Sequence, residues 1–440
     1  MNNRGVKASP TDIAAFLAIM LMPWQARWIF AYHELAGQRY EYGVYSVYAA
    51  SIVLIIACFF VLRREPLKFS FPMKVFLGWL VINLAIAAEF GVALWYLVTG
   101  ILAFGYYVVA SRWERRKVML SIVAAGLLQA VFAWWQFIGQ GIMASTFLGV
   151  AEHLPRVLGQ SVVVVHGLRT LRAYGLLPHP NMLGGLLLIS FALLLYLYAR
   201  QYERRNFEKQ RALWAAYVAG CLLLFSGILI TFSKAAILGV GIFFIGWVTD
   251  AIVRRRKEIL KPFGEVAFSA ALLFIVFNMI AAGAWTERFG LHFGTSAQSS
   301  EQIRLEQKSA DERIADYHMA QVLLNVRTLV VGVGLGNYIP RLAQAFPALA
   351  AFQYQPVHNI FAMAVLEIGV VGLIFFLWWI VWLLKGALLR FREYDQQYLF
   401  SLIVLLLLLG MVDHYLWTSY FGQSLWWAVI GLAVGKRELT

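Results

Sequence analysis

Long apolar blocks alternate with short polar loops through most of the chain. Each block runs roughly 18 to 25 residues, about the length that crosses a bilayer as a helix. Twelve such blocks lie near 11–31, 44–62, 72–88, 90–110, 118–139, 181–199, 212–231, 235–253, 262–284, 358–384, 396–415 and 420–435. They predict an all-α polytopic membrane protein with about twelve transmembrane helices, a single integral membrane domain over 1–440. The first block lies behind Arg4 and Lys7 with no clear small-residue cleavage site, and reads as a retained span. Two polar stretches break the rhythm. One covers 140–180. The longer, 285–357, is the candidate extramembrane subdomain, ahead of the tenth span. Within it, "SSEQIRLEQKSADERIADYHMAQVLLNV" predicts a helix. Ser299 and Gln302 have capping-box spacing, and Ile314, Tyr317, Gln321 and Leu324 trace one face while charges crowd the other.

Composition agrees with the blocks. The chain is 61% hydrophobic and only 14% charged, against roughly a quarter charged in soluble domains. A net charge of +14 raises the question of nucleic acid, but position answers it. About two thirds of the Lys and Arg lie in the short loops on one side, among them "RREPLK", "SRWERRK" and "RQYERRNFEKQR". That is the positive-inside pattern. It places both termini in the cytoplasm, puts the two long polar stretches outside, and leaves membrane lipid, not nucleic acid, as the charged partner. Trp24, Trp28, Trp134, Trp135 and Trp285 fall near outer span ends, as an interfacial aromatic belt does. Cys58 and Cys221 both sit inside apolar blocks without metal-ligand spacing.

Charges at the outer boundary are few. His358 follows "QYQPV" and opens a long apolar helix. The positive end of a helix dipole favours a neutral, proton-accepting imidazole, so the residue reads equally as a helix cap and as a base. In "RAYGLLPHPNMLGG", an ordinary turn into a helix explains Pro180 and Asn181 but leaves Arg172 unexplained. Arg169 lies just upstream. Lys234 sits in a very tight turn on the translocated side, against the charge trend; an anionic ligand or snorkelling accounts for it. Arg313 and Tyr317 are one helical turn apart, though Arg313 can also pair with Glu312 or Asp316. "GVGLGNY" at 332–338 lacks the spacing and the strand-helix context of a dinucleotide site, and reads as a tight turn that brings backbone amides near something. Glu367 falls on the opposite side of an ideal helix from His358 and reads as a buried polar anchor. No HExxH, DxD or outer carboxylate cluster is present, so neither a metal nor another cofactor is expected.

These segments are familiar as a set. "PVHNIFAMAVLEIGVVG" resembles the signature of the O-antigen ligase and polymerase superfamily: a His followed by Asn or Ser, an apolar run, then Glu-x-Gly-x-x-Gly. "RAYGLLPHPNMLGG", "TFSKAAILG" and "RIADYHMA" followed by "VGVGLGNY" resemble that superfamily's other segments, in order, over roughly 170–415. Within it the chain is most similar to the O-antigen ligases. The resemblance implies a glycosyltransferase of the bacterial inner membrane, with its active site facing the periplasm. It implies an undecaprenyl-diphosphate-linked polysaccharide donor, a lipid A–core acceptor, inverting transfer and no metal. His358 would be the catalytic histidine, with Arg313 and residue 234 as partners. Arg172, Arg169, Asn359 and Tyr317 complete the expected diphosphate- and substrate-binding set. Position 234 departs from the pattern: it is usually Arg in the family and is Lys here, a point charge in place of a bidentate fork.

The chemistry suits these residues. A sugar hydroxyl needs a base to take its proton, whereas a lipid diphosphate leaves without an acid but needs fixed cations. The same donor would serve an O-antigen polymerase. A protein O-oligosaccharyltransferase often carries a soluble C-terminal domain, and this chain stops at Thr440. A flippase would show midplane ionisable groups and related halves instead.

Overall fold

A computed structural model describes residues 9–35, 37–204, 211–254, 257–281, 284–289, 300–389 and 394–435. The chain opens with α1 (Pro10–Met20), followed by a hairpin of β1 (Arg27–Leu35) and β2 (Gln38–Tyr48). Then come α2 (Ala49–Arg64), α3 (Phe71–Ile86), α4 (Phe90–Arg112) and α5 (Arg115–Gly139). A smaller hairpin, β3 (Val162–Val165) and β4 (Leu168–Leu171), leads into α6 (Pro180–Arg204), α7 (Arg211–Thr231), α8 (Lys234–Val253) and α9 (Lys257–Ile280). The long polar stretch holds α10 (Ala284–Arg288), α11 (Ser300–Leu323), α12 (Val326–Val331) and α13 (Tyr338–Ala345). The chain returns through α14 (Ile360–Leu389), α15 (Tyr394–Gly410), α16 (Tyr415–Thr418) and α17 (Tyr420–Val434).

Each predicted apolar block contains an apolar helix. Among the described residues, seven helices are long and apolar enough to cross a membrane: α4, α5, α6, α7, α8, α9 and α14. The helices α1, α3, α15 and α17 are apolar but shorter. The protein is therefore mostly helical and multi-pass. Its centre is α6, apolar all round and buried along its whole spanning window, as a helix with no polar face must be. Around it pack α5, α7, α8, α9 and α15. The outer faces of α8 and α9 expose Ile245, Phe268 and Met279, which suits contact with lipid.

The all-α expectation needs correction at the two hairpins. The expected spans 11–31 and 44–62 ran through β1 and β2. Helix α1 stops at Met20, ahead of Pro23, and the following "RWIFAYHEL" and "QRYEYGVYSVY" are aromatic and β-branched, so they pair as antiparallel strands. Arg27 ties the hairpin across by a two-pronged ion pair to Glu41, at 2.8 and 3.0 Å. The expected span 396–415 also overran: α15 ends at Gly410, and Asp413 and His414 lie in the turn before α16.

The predicted helix in the long polar stretch is α11, although Ser299 lies outside the described residues and its capping role with it. Its packing is the reverse of an amphipathic reading. Ile314, Tyr317 and Leu324 are 55%, 42% and 47% exposed, while Gln302, Asp316 and Ala320 are buried. The aromatic belt also divides: Trp28 and Trp135 are exposed, but Trp285 is fully buried and stacks on Phe232.

Candidate functional site

The start of α14 fixes His358. Asn359 caps the helix: its Oδ1 accepts from the amides of Phe361 (2.9 Å) and Ala362 (3.0 Å), while its Nδ2 donates to the Met411 carbonyl at 3.1 Å. His358, the residue before the cap, is thrown off the helix and stays partly exposed. Its Nδ1 lies 3.5 Å from Oδ2 of Asp316, on the buried face of α11. The contact is too loose for a hydrogen bond, and Nδ1 has no other partner among the described residues. The ring meets His414 edge-on at 5.1 Å.

Deeper along α14, Glu367 holds the glycine turn. Its carboxylate accepts from Trp417 Nε1 at 2.8 Å and from the amides of Gly336 and Tyr338. Its carbonyl accepts from the Gly334 amide at 3.0 Å. These are the amides that "GVGLGNY" gathers. Gly369, at φ +70°, breaks α14 two residues further on, and a Cβ there would lie 2.2 Å from the Val330 carbonyl oxygen. Only glycine lets α12 approach α14 so closely. Since α13 follows this turn and packs with α11 into one core with Val357 and Met363, the turn sets the height of Asp316 against His358.

A second group of charges surrounds the α7–α8 turn. Phe232 adopts φ +49° there, and two guanidiniums cap the exposed carbonyls. Arg172 Nε donates to Thr231 O at 2.7 Å and Arg288 Nε to Phe232 O at 2.8 Å, the favourable charge for a helix C-terminus. Lys234 Nζ and Arg288 NH1 share the Glu306 carboxylate of α11, at 2.7 and 2.5 Å. Gln302 Nε2 joins the same carboxylate at 2.9 Å, and Arg169 binds Glu301 at 3.1 Å. The N-terminal half of α11 is thus docked by polar side chains, which explains its buried polar face.

A cavity of about 340 Å³ opens in front of His358, with His179, Asp413 and His414 in one wall. The wall is wired back to the cations. Asp413 Oδ2 accepts from Asn181 Nδ2 at 2.9 Å, and Asn181 Oδ1 accepts from Arg172 at 2.7 Å. The Asn181 amide donates to His179 Nδ1 at 3.1 Å, so His179 carries its proton on Nε2 and donates to Ser161 Oγ, 3.1 Å away. Burial first, then the Arg172 charge, pushes His179 down to about 3. Burial, with the His358 and Arg313 charges, overrides Asp413 and pushes His414 down to about 4. For Asp413, burial acts upward, but the electrostatic pull of His414 and His179 and the Asn181 hydrogen bond outweigh it and hold the carboxyl below its ordinary value. Burial and the Arg288 charge lower Arg172 to about 9, and it stays cationic at neutral pH.

The O-antigen ligase family model matches residues 219–377, the stretch that holds the α7–α8 turn, α11, the glycine turn and His358. The chain carries an O-antigen ligase family domain. No curated protein matches the chain significantly.

Of the expected site residues, Lys234, Arg313, Tyr317, His358 and Asn359 lie inside the O-antigen ligase domain, and Arg169 and Arg172 before it. The structure brings only His358 to the cavity wall, with Arg172 one hydrogen-bonded step behind through Asn181. Arg313 is exposed on α11 and makes no ion pair or hydrogen bond among the described residues, although its charge is felt at His414 and Arg288. It pairs with neither Asp316 nor Glu312. Lys234 and Arg169 are engaged with Glu306 and Glu301. Asn359 acts as a cap, and Tyr317 faces outward. Asp316, Asp413, His414 and Glu306 went unnoticed as site residues. Asp316 stands beside Arg313, where an ion pair is the simpler reading, and residues 413–414 fall at the end of the expected span 396–415.

Proposed function

We propose that this protein transfers O-antigen polysaccharide from undecaprenyl diphosphate to the lipid A–core oligosaccharide. It does so as an integral protein of the bacterial inner membrane. In this reading the chain crosses the bilayer about twelve times with both termini cytoplasmic, and 285–357 and 140–180 form the periplasmic subdomain and its smaller companion. One observation carries the assignment: His358, just before α14, turns Nδ1 to Asp316 and fronts a cavity that also holds His179, Asp413 and His414, within an O-antigen ligase domain.

The step follows from that arrangement. A proton on Nδ1 faces Asp316, leaving the Nε2 lone pair for the substrate. As the acceptor oxygen bonds to the anomeric carbon, opposite the diphosphate, its proton passes to Nε2. The carbon–oxygen bond to the diphosphate breaks and undecaprenyl diphosphate leaves with the electron pair, inverting the centre. Asp316 stabilises the imidazolium that forms. Apo active-site contacts are commonly loose and tighten with substrate, which suits the 3.5 Å spacing. Arg313, without a partner among the described residues, meets the diphosphate. Lys234 and Arg288 put two positive charges on the Glu306 carboxylate and Arg172 adds a third beside them, so an anion is attracted there. The clamp uses side-chain cations in place of a divalent metal.

A lipopolysaccharide gel from a strain lacking this protein tests the reading. Bare core with lipid-linked polymer persisting is the expected outcome. Core carrying one repeat unit would mark a polymerase instead, and an unchanged ladder would remove the transferase assignment altogether.

A further inference from the structure

The cavity has a second wall that the proposed mechanism does not use. It comes from the N-terminal hairpin and α4, outside the matched family domain. Tyr42, Ser46 and Tyr48 of β2 line it, residues two apart or a multiple of two, hence on one face of the strand. Trp95, Tyr96 and Thr99 complete it from α4. The Arg27–Glu41 pair stands at its edge.

This wall is built differently from the one opposite. Four aromatic rings, all half-buried, face the cavity instead of closing it. Tyr48 is fixed by stacking on Tyr420 at 4.7 Å and by Arg27 NH1, which donates to its hydroxyl at 3.2 Å. Tyr96 is fixed by donating to the Trp417 carbonyl. Trp95 is held by Phe30, edge-on at 5.1 Å. Tyr42 packs edge-on to His414 at 6.1 Å, and its hydroxyl makes no hydrogen bond among the described residues. The rings are therefore preorganised, and Tyr42 leaves a donor in the cavity beside the histidines. In charge the wall is balanced, since its one guanidinium is already neutralised by Glu41. The surplus cations gather elsewhere, on β4, the α7–α8 turn, α10 and α11.

Rigid aromatic faces flanked by hydroxyl, carboxylate and guanidinium groups suit a ligand with apolar C–H faces and a hydroxylated rim. That is a sugar ring, and a charge-balanced wall suits a sugar better than a phosphate. We propose that Tyr42, Tyr48, Trp95 and Tyr96, with Arg27 and Glu41 at the rim, bind the saccharide end of the acceptor and aim its attacking hydroxyl at His358. The inference rests on the transferase reading for the identity of the acceptor. The diphosphate of the donor then lies on the cationic side, so the two substrates meet across the cavity with the base between them.

Two measurements on full-length protein in lipid nanodiscs test this. The first is hydrogen–deuterium exchange of the His358→Ala protein with delipidated lipid A–core oligosaccharide as the probe. Slowed exchange in 38–48 is expected; unchanged exchange there overturns the site. The second is transfer kinetics. Trp95→Ala and Tyr42→Ala each raise the KM for lipid A–core on the order of tenfold, the scale of one lost aromatic contact, while the donor KM holds. Trp95→Phe restores most of the loss. A rise in donor KM alone, or no rise in either, overturns the assignment. Should the wild type transfer no glycan while the oligosaccharide still slows exchange in 38–48, the transferase reading falls and the saccharide site stands.

Discussion

Asp316 Oδ2 lies 3.5 Å from Nδ1 of His358, joining a buried face of α11 to the residue that precedes α14. A carboxylate there selects the tautomer with Nε2 free and stabilises the charged ring after proton transfer. Asp316→Asn keeps the shape and removes the charge. We expect kcat to fall by about 10- to 100-fold, within the range of general-base effects, and the pH–rate profile to move. Unchanged kcat and profile in purified protein would reduce the pair to a packing contact.

The cations divide by their partners. Arg313 has none among the described residues, whereas Lys234 shares Glu306 with Arg288. Arg313→Lys keeps the charge but loses the planar fork that grips a diphosphate, so donor KM should rise at least several-fold. Lys234→Arg keeps its reach to Glu306 and should transfer at near-normal rate. A silent Arg313→Lys beside an inactive Lys234→Arg would reverse these roles.

Much of this arrangement was legible in the sequence, and the misses have physical causes. The α7–α8 turn was placed to within a residue because apolar runs end where polar groups must leave the bilayer. The glycine turn was read as gathering amides, and Glu367 as a buried anchor; their union, Glu367 accepting from Gly336 and Tyr338, needed the fold. The hairpin was hidden because the apolar helices on either side, α1 and α2, drew "RWIFA" and "VYSVY" into the expected spans, and hydropathy does not separate strand from helix. Asp413 and His414 were hidden for the opposite reason: a leucine-rich helix precedes them, and window averaging absorbed two polar residues. The face of α11 was misjudged because that helix docks through Gln302, Glu306 and Asp316 to a charged site, not through its apolar residues to a core.

Gly369 is one of the tight contacts behind the site. At φ +70°, with a Cβ position 2.2 Å from the Val330 carbonyl oxygen, Gly369→Ala meets both backbone strain and a clash. Strain of this kind costs about 1–3 kcal/mol before the clash is added. The thermal midpoint in detergent should drop by several degrees, with transfer lost. A midpoint equal to wild type would mean that α12 and α14 separate without penalty.

Stability should also depend on pH through His179 and His414. Their folded-state values, about 3 and about 4, lie below the ordinary 6.5. Between about pH 4 and 6.5 the unfolded chain therefore binds more protons than the folded one. The stabilisation is complete above about pH 6.5 and is lost as pH falls through that window. The thermal midpoint should fall from pH 7 to pH 4.5, and His179→Gln, which cannot take up the proton, should flatten the slope. Identical slopes for both proteins would exclude His179 as a contributor.

The most direct measurement of the central claim is transfer by purified protein from lipid-linked polysaccharide to lipid A–core in excess EDTA, wild type against His358→Ala. The account predicts a wild-type rate indifferent to EDTA and a loss of at least ~100-fold in the variant, with both proteins folded and inserted. A His358→Ala protein that transfers at the wild-type rate, or a wild type that stops until Mg²⁺ or Mn²⁺ is restored, would contradict it.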